Sequence, residues 1–329
     1  MRLYGDLWKL GFWIPSEMLR MRSTVAVLLC VLFVSAPARA ADQPFSWKDG
    51  DKVALIGGTV IEREQNFGFW EAALTQNIPA KNLTFRNLGW SGDTVWAESR
   101  GIFEPSDSRT PIGDNRGYGR LIELVKEQKP SVLIFGYGAV EAFAGAPGIP
   151  AFIQQYEKII SDCKAGSTEG ARVILLSPME LVAMQPPLPP PTAANEKVKL
   201  YQAAIQDLSK KIGATYVTVS IPPAKNSDEL LAITDNGQHL RAEGYARSAS
   251  QLVEQLTPGK AKDLKTGDAD SFRELIQKKN ELFFHRHRPQ NVTYLFLFRK
   301  HEQGNNAVDI PKFDPLVAEL EQQISKSVD

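Results

Sequence analysis

The stretch KVALIGGTVIEREQNFGFW, residues 52–70, decides the fold. Its apolar run at 53–56 has the length of a buried strand and breaks at Gly57-Gly58, after which a hydroxyl follows at once on Thr59. Phe67, Trp70 and Leu74 then recur at helical spacing. The hydroxyl therefore falls where a first parallel strand hands over to a first helix. In an open α/β sheet, ligands bind in that crevice, at the carboxyl ends of the strands.

Working outward, the alternation of strands and helices continues. Residues 83–88 alternate as a second strand and close in Gly89-Trp90-Ser91-Gly92-Asp93-Thr94. Residues 98–115, rich in Gly, Pro, Ser and Asp, read as a surface loop, and 118–128 as a helix carrying Leu121, Ile122, Leu124 and Val125. A third strand at 131–135 runs into Gly136-Tyr137-Gly138-Ala139-Val140-Glu141, followed by a helix at 150–163. A fourth strand at 172–176 precedes a proline-rich loop at 186–191, stiff and extended, expected as a rigid wall at the mouth of a site or, as the competing reading, a docking segment for a partner. A helix at 196–212 and a fifth strand at 215–219 come next. Thr234-Asp235-Asn236-Gly237-Gln238-His239 then leads into a helix at about 241–256. Strands alternating with helices argue right-handed βαβ units and a parallel sheet covered on both faces.

The N-terminus has a different character. Residues 24–34, TVAVLLCVLFV, lie behind Arg20 and Arg22 and end in Ala38-Arg39-Ala40. A basic start, an apolar run too short to span a bilayer and a small-x-small site together read as a secretory signal over 1–40, with Met21 as the plausible start. A retained N-terminal membrane anchor is the competing reading. Cys30 has no lipobox around it. The expected destination is the periplasm or the exterior, with a mature chain that has no integral membrane segment and a mildly acidic balance. Lys+Arg and Asp+Glu are both 38 in the full chain, which argues against a nucleic-acid partner. Only Cys163 survives cleavage, so no intrachain disulfide is expected and the core must carry the stability.

Beyond Pro258 the pattern changes again. Residues 259–329 read as a charged linker followed by helical segments at 271–284 and 313–327, an extension that packs on the main domain of residues 41–258 by its apolar side. The extension is also a candidate docking element for a protein partner. His285-Arg286-His287-Arg288 lacks a cysteine or a carboxylate at ligand spacing, so no metal is expected.

The order and spacing of the strand-end loops over residues 51–256 resemble the SGNH, or GDSL-type, hydrolase family. The tail also resembles those of SGNH-like modules in secreted planctomycete and verrucomicrobial proteins. No Cys-x-x-Cys-His occurs, so the chain carries no covalent haem and no cofactor is expected. The resemblance implies a flavodoxin-like three-layer α/β/α sandwich around a five-stranded parallel sheet, with a C-terminal helical extension. It also implies hydrolysis of acyl, acetyl or carbohydrate esters. The family's first block is Gly-Asp-Ser with a nucleophilic serine; here it reads Gly57-Gly58-Thr59, so Thr59 takes that position. The second block matches as Ser91-Gly92-Asp93-Thr94, with the Gly92 and Thr59 N–H groups as oxyanion donors. The third, Gly-x-Asn-(Asp/Glu), becomes Gly138-Ala139-Val140-Glu141, which puts Val140 in place of the asparagine. The last, Asp-x-x-His, keeps His239 but has Asn236 three residues before it. Gly58, Asp93, Val140 and Glu141 complete the expected substrate-contacting set.

Chemistry says what these departures cost. A hydroxyl at a strand-to-helix turn needs a histidine to take its proton and a carboxylate to hold the imidazole. The methyl of Thr59 crowds the attack and stiffens χ1. Replacing the carboxylate by an amide, as Asn236 does, costs about 10⁴-fold in chymotrypsin-like proteases. A lost oxyanion donor, as at Val140, costs on the order of 10²- to 10³-fold. Asp235 replaces the missing carboxylate if the loop shifts register by one. Glu141 either turns inward or, in the more ordinary case, lies exposed; Thr59 either reacts or caps its helix. Two functions follow: an exported ester hydrolase with weakened machinery, or a binding module that keeps the cleft and recognises a glycan or a partner protein.

Overall fold

The computed structural model describes residues 45–78, 80, 82–100, 116–257, 268–296 and 299–328. The signal segment expected at 1–40, most of the loop at 98–115 and most of the linker at 259–270 lie outside these residues. Five strands, β1 (Lys52–Gly57), β2 (Thr84–Asn87), β3 (Val132–Gly136), β4 (Arg172–Leu176) and β5 (Thr215–Val217), form one sheet in the order β2-β1-β3-β4-β5. Every pairing is parallel. The chain leaves β1 toward β2 and then returns to place β3 on the other side of β1. The carboxyl ends of β1 and β3 therefore flank the topological switch point, where a parallel sheet leaves a crevice.

Period-two alternation divides the sheet between two cores. Val53 and Leu55 of β1, with Ile134 and Ile174, face α1 (Thr59–Phe67), α2 (Phe69–Asn77) and, with α6 (Ser227–Ile233) beside it, α7 (Ala242–Leu256), whose Tyr245, Leu252 and Val253 fill that layer. Ala54 and Ile56, with Leu133 and Phe135, face α3 (Arg116–Gln128), α4 (Ile149–Gly166) and α5 (Thr192–Ile212) through Val125, Tyr156 and Ile205. The helix expected to run through Phe67, Trp70 and Leu74 is two helices. Gly68, at φ 69°, ends α1 and starts α2. Buried Glu64 braces the break by accepting the Trp70 and Glu71 N–H groups, and desolvation holds its carboxyl up at about 8. The fifth strand stops at Val217, two residues early, because beyond it the Thr218 and Ser220 N–H groups bond to Gln255 and Gln251 of α7. Arg100, expected in a surface loop, is 3% exposed.

The C-terminal extension comprises α8 (Asp268–His287), the short α9 (Val292–Leu295) and α10 (Lys300–Gln303), a 3₁₀ stretch at Gly304–Lys312, and α11 (Phe313–Lys326). Helix α8 lies against α1, α2 and the edge strand β2, with α11 packed on it. Phe272, Ile276 and Ile324 close over Ala72. At the centre of this contact Lys279, wholly buried, donates to both Glu71 carboxylate oxygens at 2.7 and 2.8 Å and to the Phe85 carbonyl of β2 at 3.0 Å. Burial lowers the Lys279 pKa and raises that of Glu71, each opposed by the charge of the other. Arg86 of β2 pairs with Glu321 and lies over the Phe283 ring. His287, read from sequence beside His285, is buried: its Nδ1 meets the Phe283 carbonyl at 2.8 Å, and desolvation drops its pKa to about 3.

A buried pair is costly to break and cheap to replace whole. Lys279→Met should cost about 3–5 kcal/mol of stability in denaturant titration, because it strands the Glu71 charge. Lys279→Met combined with Glu71→Leu should recover most of that loss.

Candidate active site

The hydroxyl of Thr59 is positioned by glycines. A Cβ on Gly57 would sit 2.4 Å from the Gly136 carbonyl oxygen and 2.8 Å from Ile61, and one on Gly89 would sit 2.5 Å from the Glu62 nitrogen. Bare backbone at these points lets α1 start directly off β1, between β3 and the loop after β2. Gly58 is the N-cap, so Thr59 occupies the first helical position and does not cap its own helix. Its Oγ1 instead accepts the Gly92 N–H at 2.9 Å. Gly92, at φ 71°, is locked from its other side by Ser99 Oγ, which donates to the Gly92 carbonyl at 2.7 Å.

Two carboxylates expected to contact substrate are spent beneath this turn. Asp93 is 1% exposed; its Oδ2 accepts from Arg100 Nε at 2.6 Å and from the Tyr137 hydroxyl at 3.1 Å. Burial raises its pKa despite the guanidinium. Glu141 is not the exposed acid of the ordinary reading. It turns inward, accepting the Val95 N–H through Oε1 and the Gly138 N–H through Oε2, both at 2.9 Å, and burial raises its pKa too. A carboxylate that satisfies two backbone donors from two loops ties those loops together. Val140, by contrast, is 39% exposed at the rim and offers no donor.

His239 arrives on the loop between α6 and α7, closed by the isolated bridge between Thr234 and Leu240. Asn236 builds the turn: its Oδ1 accepts the N–H groups of Gln238 and His239 at 3.0 and 2.8 Å. With that oxygen saturated, its Nδ2 is what faces the imidazole, 3.3 Å from Nδ1. An amide nitrogen only donates, so this contact is a hydrogen bond when Nδ1 accepts and the ring proton lies on Nε2. Asp235, the alternative orienter, sends Oδ2 to Arg63 at 2.9 Å and leaves Oδ1 buried, without a hydrogen-bond partner, 4.0 Å from His239 Nδ1. The His239 pKa is lowered, by burial first and by Arg63 second, against the pull of Asp235. Arg63 escaped the sequence reading, although its place one helical turn after Thr59 puts it on the same face of α1.

Thr59 and His239 line the same cavity, of about 60 Å³, at the carboxyl ends of β1 and β3. Gly58, Asp93, Val140 and Glu141 also border it, and Trp70, Leu176, Met179 and Val219 supply apolar walls. Ser177, Pro178 and Met179 line it, whereas the proline run at 186–191 lies on the surface and contributes no lining residue. No hydrogen bond links Thr59 to His239. Among the described residues, no group of three His, Cys, Asp or Glu side chains is placed to hold a metal ion.

Several solved structures are similar to this chain. The gut microbial diltiazem-metabolizing enzyme BT4096 matches at 13% identity with a TM-score of 0.46, over 64% of this chain and 48% of that one, so the chain spans about half the length of that enzyme. The inhibitor-bound M. smegmatis aryl esterase matches at 15% identity, TM-score 0.42, over 63% and 98% of the two chains. A GDSL-like lipase from Bacteroides thetaiotaomicron matches at 17%, TM-score 0.39, over 62% and 88%. No curated protein matches the sequence. The model of the GDSL-like lipase/acylhydrolase family matches residues 53–247, a span that contains the sheet apart from the first residue of β1 and every residue placed around the cavity, and the chain belongs to that family.

Proposed function

We propose that the protein is an exported hydrolase of short acyl esters, acetyl esters of carbohydrates among them, working slowly through Thr59 and His239. The observation that carries this reading is that Thr59 and His239 line one small cavity, with the Gly92 N–H held against the Thr59 hydroxyl. A volume of about 60 Å³ accommodates an acetyl-sized group. The apolar run and small-x-small site at 1–40 support export.

Chemically, the ester carbonyl oxygen takes over the Gly92 N–H from Thr59 Oγ1 and shares the Thr59 N–H, which has no acceptor within the first turn of its helix. The released hydroxyl attacks the carbonyl carbon and passes its proton to His239 Nε2, which hands it to the departing alcohol. Water then cleaves the acyl-threonine by the reverse relay. Nε2 accepts a proton only after the ring proton moves to Nδ1. Asp235 Oδ1, unpartnered at 4.0 Å, is the group that stabilises the Nδ1–H form. Asp235 is thus assigned as orienter, and Asn236 as builder of the turn.

A second reading, a module that binds a glycan or partner protein without turnover, draws support from two features. The Asn236 amide favours the unreactive tautomer, and Val140 leaves one oxyanion donor missing. Aryl acetate hydrolysis by the mature chain separates the two. Slow turnover is expected, faster in Thr59→Ser once the methyl is gone, and reduced at least about 10²-fold in Thr59→Ala and His239→Ala. Activity retained in both alanine variants removes Thr59 and His239 from the chemistry, and no activity in the wild type leaves the binding reading.

The pH profile gives a further check. His239 must be neutral to act, and burial and Arg63 lower its pKa, so kcat/KM should rise to a plateau with its midpoint below 6.5. Asp235→Asn removes the one charge that holds the proton on. The midpoint should then move to still lower pH while the plateau falls.

A further inference from the structure

The turn that carries the Gly92 N–H is gripped from outside the family domain. Trp90 sits between two guanidinium groups, Arg100 at 5.8 Å and Arg288 at 3.5 Å from the ring centroid. Arg288 stands at the end of α8, in the C-terminal extension, beyond the residues 53–247 that match the family. Its guanidinium also pairs with Glu62 on α1, and the other oxygen of Glu62 accepts the Ser91 hydroxyl. One side chain from the extension thus clamps both neighbours of the site: the helix that begins at Thr59, through Glu62, and the turn that ends at Gly92, through Trp90 and Ser91.

The clamp is itself anchored. The Arg288 N–H donates to the Phe284 carbonyl at 2.8 Å, buried His287 stacks on Phe283, and Arg120 of α3 holds the His287 carbonyl at 3.3 Å. The side chains of the Arg288–Glu62 pair are only 19% and 14% exposed, so the contact is sheltered from solvent screening. A planar guanidinium suits both demands at once, because its delocalised fork stacks on aromatic faces and donates to a carboxylate better than an ammonium does.

We propose that the extension completes the oxyanion side of the cleft, with Arg288 as a positioning residue that fixes the Trp90–Ser91–Gly92 turn against Thr59. The kinetic part of this inference rests on the hydrolase reading; the positioning part does not. Three amides report on the turn directly: Trp90 N–H on the Gly57 carbonyl, Gly92 N–H on Thr59 Oγ1, and Asp93 N–H on the Trp90 carbonyl.

The test is amide hydrogen exchange across residues 88–96 in the full mature chain, comparing wild type with Arg288→Ala, Arg288→Lys and Arg286→Ala. Arg286 lies two residues away and pairs with Asp314 within the extension, so its loss perturbs the extension without touching the turn. Exchange in 88–96 should quicken about tenfold or more in Arg288→Ala, less in Arg288→Lys, and not at all in Arg286→Ala, with β4 unchanged throughout. If Arg288→Ala fails to fold, the Lys variant carries the comparison, since it keeps the charge on Glu62 and loses the stack on Trp90. Where the wild type turns over, Arg288→Ala should lower kcat several-fold at nearly constant KM. Unaltered exchange in both Arg288 variants, or equal changes in Arg286→Ala, overturns the proposal. Fast exchange in Arg288→Ala alongside an inactive wild type sinks the hydrolase reading and leaves the positioning role standing.

Discussion

The space left by missing side chains at the ends of β1 and β3 is the constraint on which the rest of the cleft depends. Gly57 and Gly136 are register partners, and the Gly58 N–H continues the ladder by donating to the Gly136 carbonyl at 3.2 Å. At 2.4 Å from that carbonyl there is no room for a Cβ on Gly57, and no easy adjustment, because the obstacle is backbone. Helix α1 therefore begins where the sheet ends, and its first residue is forced into the crevice. Gly89 does the same for the loop after β2. The reactive-looking geometry is less a property of Thr59 than of the three bare positions around it.

That constraint also explains what was legible in the sequence. The central strands β1 and β3 are apolar runs buried on both faces that end in glycines, so their positions and order along the chain could be read directly. The errors lie where a tertiary contact overrides local pattern. Helical spacing from Phe67 to Leu74 gives no hint of a break, yet Gly68 turns left-handed because α8 crosses there: a Cβ on it would meet Ile276 at 3.1 Å. Arg100 sits in a polar, glycine-rich stretch, and the buried Asp93 carboxylate and Leu88 carbonyl pull it inside. Glu141 looked like a surface acid because its partners, the N–H groups of Val95 and Gly138, belong to loops that meet only in the folded chain. Arg288 was visible as one of several basic residues in the tail, with nothing in the spacing to single it out.

Within the site, the departures from the family pattern are compensated as structure rather than as chemistry. The asparagine lost at Val140 would have supplied a side-chain donor; what the neighbouring Glu141 supplies instead is an acceptor that staples two loops. The aspartate lost at Asn236 would have held the histidine proton. Asn236 shapes the turn and shows the ring only its amide hydrogens, while the carboxylate stands one residue earlier, divided between Arg63 and an empty side facing His239. The loops are kept in place more firmly than the proton relay is.

The extension has a consequence for the sheet as well as for the cleft. β2 is an outermost strand, and α8 lies along it, with Lys279 donating to its Phe85 carbonyl and Glu321 of α11 holding its Arg86. An uncovered outer strand is a template on which a second chain can add its own. Here α8 and α11 cover that border, so the outer edge of β2 is not left open to another strand. Any homologue that shed the tail would need a charge, a proline or a partner to close that border.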